Sequence, residues 1–425
     1  MKNRVLAVAA LAVVLATQTA GAKTLEDVLK EKGVISEADF KEVSNSKPLK
    51  YTIGKGFTFL SPDEKFQLSL GGRLQTRYSY TDGELNSVTP NASKAEVKRM
   101  KLWLNGYAYS KDLTYLLQVD FVQGGSAKLL EHAYVNYRLV DELQLLAGQT
   151  KVPFGRQWLN SSGGQQFVDR SAASDAFRPG YDTGLKLNGE VMKGLATYEL
   201  GVYGGAGQSL TRAANGDNTA SAMAARVTVN PFGKLGYGSE SDLDHSPKPL
   251  LSLGADYYGN TLKRTTATGP AMTAATAFET NNITLAGASG WLGRGRGNFS
   301  ASEKVNVDTY GVDAAFKWLG ASAQAEYLFG EADGKTSGEH LRAHGYFAQL
   351  GYCIIPKTLE LAFRYSFVDP DRDASNDQLS DTAGAVSYYF NKHNLKIQGD
   401  VTNSHDQSKG RVDDLIYRLQ AQVIF

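Results

Sequence analysis

From Phe66 onward apolar and polar side chains alternate, and the alternation restarts many times along the chain. Phe66, Leu68, Leu70, Leu74, Tyr78 and Tyr80 fall on one side, with Gln67, Ser69, Arg73, Gln75 and Arg77 on the other. Met100, Leu102 and Leu104 stand against Arg99, Lys101 and Asn105, and the pattern returns near 113–121, 198–202, 223–229, 310–318, 359–367 and 395–401. A period of two describes a strand with one greasy and one polar face. The run 415–425 is the clearest: Leu415, Tyr417, Leu419, Ala421, Val423 and Phe425 share a face, opposite Arg418, Gln420 and Gln422 with Ile416 and Ile424 at either end. As an open edge in water such a strand invites association. Pairing it with the first strand removes the edge, with lipid outside and water inside. The expectation is an all-β fold, a sixteen-stranded antiparallel transmembrane β-barrel over residues 61–425, from about sixteen segments of the ~10 residues a tilted spanning strand needs.

Short links such as Ser110-Lys111-Asp112 and Leu319-Gly320 alternate with long polar ones at 82–94, 204–218 and 369–378, which predicts tight periplasmic turns and longer outer loops. Residues 153–181 make a long connection rich in Ser, Gly and Gln that also carries Phe154, Trp158, Phe167 and Phe177. Four aromatics need something to pack against, and the barrel interior is available. The stretch 261–303, with Lys263, Arg264, Arg294 and Arg296, reads as a large outer loop with room for another hairpin.

Ahead of the barrel, Lys2 and Arg4 precede an apolar run to Leu15 and the small residues Ala20, Gly21 and Ala22. This is the layout of a signal peptide, 1–22, with Lys23 as the first mature residue. The apolar run is shorter than the ~20 residues of a spanning helix. Capping-box patterns at Thr24 to Asp27 and Ser36 to Asp39, with Gly33 as a stop, predict a short periplasmic helical segment reaching as far as Val43, and a linker within 23–60.

The chain has 45 Lys and Arg against 44 Asp and Glu; without Lys2 and Arg4 that becomes 43 against 44, which speaks against nucleic acid as a partner. A lone cysteine, Cys353, excludes an intrachain disulfide. The faces are less even. Arg73, Arg77, Arg99, Lys101, Arg138, Lys186, Arg226, Lys317, Arg364, Lys396 and Arg418 point inward with Asp120, Glu190, Glu199, Asp256, Asp313, Glu326, Glu360 and Asp400, a surplus of three positive charges. Arg73, Arg77, Arg99 and Lys101 share two adjacent strands with no acid on those inward faces, a cluster suited to attracting phosphate oxygens. The alternative is an ordinary barrel wall with opposed basic and acidic rows.

Several stretches resemble the phosphate-selective porins of the O and P type: Gly345-Tyr-Phe-Ala-Gln-Leu-Gly-Tyr352, Ile355-Pro-Lys-Thr-Leu-Glu-Leu-Ala-Phe-Arg-Tyr365, Val368-Asp-Pro-Asp371, Tyr388-Tyr-Phe-Asn-Lys-His-Asn-Leu-Lys396, Ala133-Tyr-Val-Asn-Tyr137 and Gly148-Gln-Thr-Lys-Val-Pro-Phe-Gly155. The resemblance implies a trimeric barrel whose third outer loop, 153–181 here, folds into the lumen, and passive uptake of small inorganic anions such as phosphate or polyphosphate across the outer membrane. It places Arg73, Arg77, Arg99 and Lys101 on an anion ladder, with Lys151, Arg156, Arg170 and Arg178 near a constriction where Asp169, Asp175 and Asp182 accompany them.

No enzyme, cofactor or metal site is expected. The six histidines, His132, His245, His340, His344, His393 and His405, form no ligand pattern, and Asp369-x-Asp371-x-Asp373 departs from a calcium loop at Ala374 and Ser380. Gly334-Lys335-Thr336 lacks the glycine spacing of a phosphate-binding loop. The reading is therefore an anion porin in outer-membrane lipid, with phosphate and two further copies of itself as the expected partners; the alternative is a general diffusion porin with weak ion selectivity.

Overall fold

The computed structural model describes residues 25–37, 49–83, 91–122, 129–208, 221–263, 283–287, 289–295, 297–409 and 412–425. The expected signal peptide, Thr24, Asp39, Val43, Arg264, Arg296 and most of 204–218 lie outside the described residues. The chain divides into two units, Met1–Lys50 and Tyr51–Phe425. In the first, α1 (Leu25–Glu31) is the start of the expected helical segment. Gly33 stops it at φ +68°, where Gly33 N donates to Lys30 O and Val34 N to Leu29 O. Glycine takes that left-handed cap without a Cβ clash.

Two short strands, β1 (Leu49–Thr52) and β2 (Gly56–Leu60), precede sixteen more: β3 (Phe66–Gly83), β4 (Ala92–Ala108), β5 (Ser110–Asp120), β6 (Leu130–Val140), β7 (Leu143–Lys151), β8 (Tyr181–Val191), β9 (Ala196–Tyr203), β10 (Ala222–Val229), β11 (Leu250–Lys263), β12 (Lys304–Trp318), β13 (Ala321–Gly334), β14 (His340–Ile355), β15 (Leu359–Asp369), β16 (Leu379–Asn391), β17 (Leu395–Asp406) and β18 (Val412–Ile424). From β3 to β18 each strand pairs antiparallel with the next, and β18 returns to β3, Leu415 opposite Asp82 and Ile424 opposite Arg73. The barrel is closed. Phe425 and Gly72 exchange both backbone hydrogen bonds at the seam. Below the seam β2 takes over the edge of β3, Phe57 opposite Leu70, so the start of β3 is also covered.

The alternation does what the pattern predicts. Leu350 is 62% exposed and its neighbour Gln349 1%; Leu185, Phe363 and Leu419 likewise face outward, while Gln420 and Gln422 are buried inside. Exposed apolar side chains all round a closed sheet are stable only against hydrocarbon. At the periplasmic end Leu319 (φ 46°) and Gly320 (φ 85°) make the two-residue turn expected there. The link placed at 110–112 turns one residue earlier, on Tyr109 (φ 64°), because Ser110 already pairs with Ala108.

The lumen is largely filled. Phe154, Ala173 and Phe177 from the connection after β7 pack with Ile283, Leu285 and Trp291 of the 263–304 connection and with Val307, Leu328, Leu341, Phe347 and Val368 on the wall. Phe177 stacks on Trp291 at 6.0 Å between centroids. This core occupies the β11 to β15 side and leaves open space along β3 to β6.

Candidate functional site

Residues 152–180, here the constriction loop, enter the barrel from its outer end, pinned at the base by Val152 N donating to Gly180 O. The loop carries two short helices, α2 (Arg156–Leu159) and α3 (Ala172–Phe177), the latter capped by Ser171 Oγ, which accepts from Ser174 N. It is tied to the opposite wall at many points: Arg156 to Ser252, Gln157 N to Glu326, Ala173 N to Ser366, Gln166 to Ser322 and Glu360, and Val168 N to Asp400. Every one of these wall partners is an inward polar residue, so the alternation that greases the outer face also supplies the anchors.

A second inward segment is not apparent in the sequence pattern. Residues 230–249, the periplasmic loop between β10 and β11, rise into the barrel and bury Glu240, Ser241 and Asp242. Ser161 N donates to Tyr237 O and Glu240 N to Gly164 O, so the two loops pair backbone to backbone. The Glu240 carboxylate accepts from Gln157 Nε2, Asn160 Nδ2, Gln166 N and Gln349 Nε2 at 3.0 to 3.3 Å. Only the Glu240 to Asp242 acids hinted at this, and nothing in their spacing aims them inward.

What remains open is a cavity of about 850 Å³. Its lining includes Thr284 and Gly287 of an outer connection and Ile424 near the periplasmic end, so it runs lengthwise through the barrel. Between them stand Arg73, Arg99, Lys101, Lys151, Arg170 and Arg178, with Glu131 as the acid of that lining. Register places Arg73 directly opposite Lys101 on adjacent strands.

Trp158 gathers three of these cations: Lys151 Nζ lies 4.7 Å, Arg170 Cζ 4.9 Å and Arg178 Cζ 4.4 Å from its ring. A ring face tolerates crowded cations that would otherwise repel. Lys151 Nζ donates to the carbonyls of Trp158, Leu159 and Asn160 at 2.7 to 3.2 Å, and Arg170 Nε donates to Gln157 O. Arg73 donates to Ser161 Oγ and Ser162 Oγ, and its buried Nε has no acceptor. Among the described residues no carboxylate lies within ion-pair distance of Arg73, Lys151 or Arg170. Their charge is held by neutral oxygens and remains available to a mobile anion. Burial and the adjacent Arg178 press the Arg170 guanidinium down to about 10, still well above neutral pH.

The other basic residues expected on the pathway are placed elsewhere. Arg77 grips Asp169 through two bonds, 2.5 and 3.0 Å. Arg364 donates to Asp169 O and lies over Phe167, and Arg418 pairs with Asp400 at 2.6 Å. Arg226 is buried between Asp256 and Asp313, and Arg156 is spent on Ser252 and the Leu235 carbonyl. These five hold the constriction loop and the wall and do not line the cavity. Burial pushes the Asp169 carboxyl up, but Arg77, Arg99 and Arg418 outweigh it and hold it well below the usual carboxylate range. Arg138 and Glu190 sit at exposed ionic pairs, with Asp112 and Lys234. Glu131, bonded to Lys101 at 2.5 Å, escaped the alternation because the strand slips register beside it.

Comparison with known proteins agrees with the fold. The chain is 25% identical over 358 residues to Porin O of Pseudomonas aeruginosa, covering 81% of this chain and 76% of that one. Among solved structures the fold is similar to the anion-selective porin from Comamonas acidovorans (TM-score 0.55, 11% identity, 84% of this chain and 99% of that one). It is similar also to the outer membrane channel DcaP of Acinetobacter baumannii (TM-score 0.55, 14% identity, 86% and 99%). Residues 68–425 match the phosphate-selective porin O and P family, and the protein belongs to that family of bacterial outer-membrane porins.

Proposed function

We propose that this porin passes small inorganic anions, phosphate among them, passively through the cavity between the constriction loop and the β3 to β6 wall. The observation that carries the reading is the set of three cations, Arg73, Lys151 and Arg170, bound to neutral acceptors beside Arg99, Lys101 and Arg178. An anion gains from several guanidinium and ammonium groups at once and need not shed its water completely. Kinship with a family described as phosphate-selective, and a fold shared with a porin described as anion-selective, support the same reading. The protein acts as a homotrimer embedded in outer-membrane lipid.

The test is the reversal potential of purified, refolded protein in a planar bilayer under a chloride gradient, followed by titration with inorganic phosphate. A current carried mainly by chloride and blocked by phosphate is expected, with both effects reduced in Arg73→Ser/Arg170→Ser. A weakly selective current indifferent to phosphate would make this a general diffusion porin instead. Mass determination after cross-linking in membranes tests the trimer.

A further inference from the structure

The cavity wall just below the cations is apolar, which a channel for hydrated phosphate does not need. On β4 the inward positions run Arg99, Lys101, Trp103, and on β5 they run Asp120, Gln118, Leu116. Trp103 stands opposite Gln118 and Leu116 opposite Asn105, so Trp103 and Leu116 are diagonal neighbours across the two strands. On the other side Trp103 lies opposite Gly71 of β3, and a Cβ there would come within 2.6 Å of the indole. The missing side chain lets the ring lie across β3 toward Ile424, which β18 places level with Arg73. Ile424, Trp103 and Leu116 all line the same cavity as Arg73 and Lys101. Four adjacent strands thus build an apolar band that starts level with Arg73 at Ile424 and continues to the periplasmic side of the Arg73 and Lys101 row at Trp103 and Leu116. Trp158 offers no such surface, because three cations already surround its ring.

Apolar side chains bordering a water-filled passage lose nothing only when something apolar covers them. Inward positions two residues apart on a strand are ~7 Å apart. Arg73 stands two positions from Gly71, across which the Trp103 ring lies, and its long side chain leans over that distance, so a phosphate it holds brings the group it esterifies against the indole.

We propose that the passage selects small organophosphates, the phosphate head held at Arg73, which meets only hydroxyls, and a flat apolar body lying on Trp103, Leu116 and Ile424. The proposal rests on the anion reading above and names its substrate class as phosphate monoesters with a compact aromatic or hydrocarbon group. Inorganic phosphate uses the cations alone; the monoester uses the cations and the band together.

The experiment measures half-block of the chloride current at pH 8, where inorganic phosphate, methyl phosphate and phenyl phosphate are all largely dianions. Phenyl phosphate is expected to block at a concentration about tenfold lower than methyl phosphate, the ratio expected when most of a ring leaves water. In Trp103→Ser/Leu116→Ser that ratio should collapse toward one, and Trp103→Phe should restore most of it. Equal block by the two esters in the native protein overturns the proposal, and that comparison needs no variant to fold. A ratio that survives the double substitution overturns it as well. If inorganic phosphate blocks and phenyl phosphate shows no advantage, the organophosphate proposal falls and the anion reading stands. If no phosphate species blocks and chloride is not preferred, both fall.

Discussion

Replacing Glu240 with alanine should loosen the pore without loosening the barrel. The Glu240 side chain belongs to no strand, yet its carboxylate accepts four hydrogen bonds, from Gln157, Asn160 and Gln166 of the constriction loop and Gln349 of the far wall. Glu240 is 6% exposed, so water does not already compete for those donors. Each bond to a buried charge contributes about 1.5–3 kcal/mol net, but the four share one carboxylate and do not add. Truncating one partner of a buried charged network costs about 3–5 kcal/mol. At about 1.4 kcal/mol per decade, Glu240→Ala should raise the population with the loops undocked by about two to three and a half orders of magnitude. The consequence reaches the cations directly, since the carbonyls that seat Lys151 and Arg170 belong to residues 157–160. Single-channel recordings should change from a steady level to rapid flicker between levels, with a weaker phosphate block. Heat-resistance of the band on a denaturing gel should stay native, because the β3 to β18 ladder is untouched. Glu240→Gln, which keeps one acceptor oxygen, should fall between. Quiet Glu240→Ala traces with native phosphate block would refute the idea that this carboxylate ties the loops.

Three further outcomes follow from single groups. Glu131 is the acid of the cavity lining, so Glu131→Gln should favour a monovalent anion ~7 Å away by about 1 kcal/mol at an effective dielectric of about 40–80; the chloride permeability ratio should rise about fivefold, and a fall would contradict the charge assignment. Arg77→Ser removes the bidentate partner of Asp169 and should impair loop docking more than anion attraction, so current noise should rise in that variant more than in Arg73→Ser. In the outer connection, burial pushes the Glu303 carboxyl up, but donors at Ser337, Thr336 and Ser300 outweigh it and hold it at about 2. A lowered carboxyl contributes stability in full above the ordinary range near 4.3 and loses it as pH falls toward 2. Limited proteolysis near residues 300–337 should therefore be unchanged between pH 7 and pH 5, whereas Glu303→Gln should be cut faster already at pH 7.

Much of the fold was legible because period-two alternation is a local property. Leu419 and Gln420 declare their faces whatever lies around them, and the aromatic-rich 153–181 connection could go nowhere but inside. The site was less legible, because whether an inward arginine is free depends on partners far away in sequence. Arg73 and Arg77 are indistinguishable as letters on β3. One meets the hydroxyls of Ser161 and Ser162, the other the carboxylate of Asp169, and only the folded loop decides which. Register slips hid Glu131, and a strand pattern read as polar inside passed over Trp103 and Leu116.

The same dependence explains how a chain with nearly balanced charge can hold a basic passage. Acids are not scarce in the lumen; they are assigned. Asp256 and Asp313 take Arg226, Asp400 takes Arg418, Asp169 takes Arg77, and Glu240 binds neutral amides only. Each pairing fixes the constriction loop or the wall and withdraws a negative charge from the route. Lys151, Arg170 and Arg73 are instead seated on carbonyls and hydroxyls, which orient a cation without cancelling it. Selectivity in this architecture then depends on which bases are left with neutral neighbours, so moving a carboxylate beside one of them, as in Ser162→Asp next to Arg73, should reduce anion preference while leaving the net charge of the chain only one unit lower. A reversal potential unchanged in Ser162→Asp would show that total lumen charge, and not its local pairing, sets the preference.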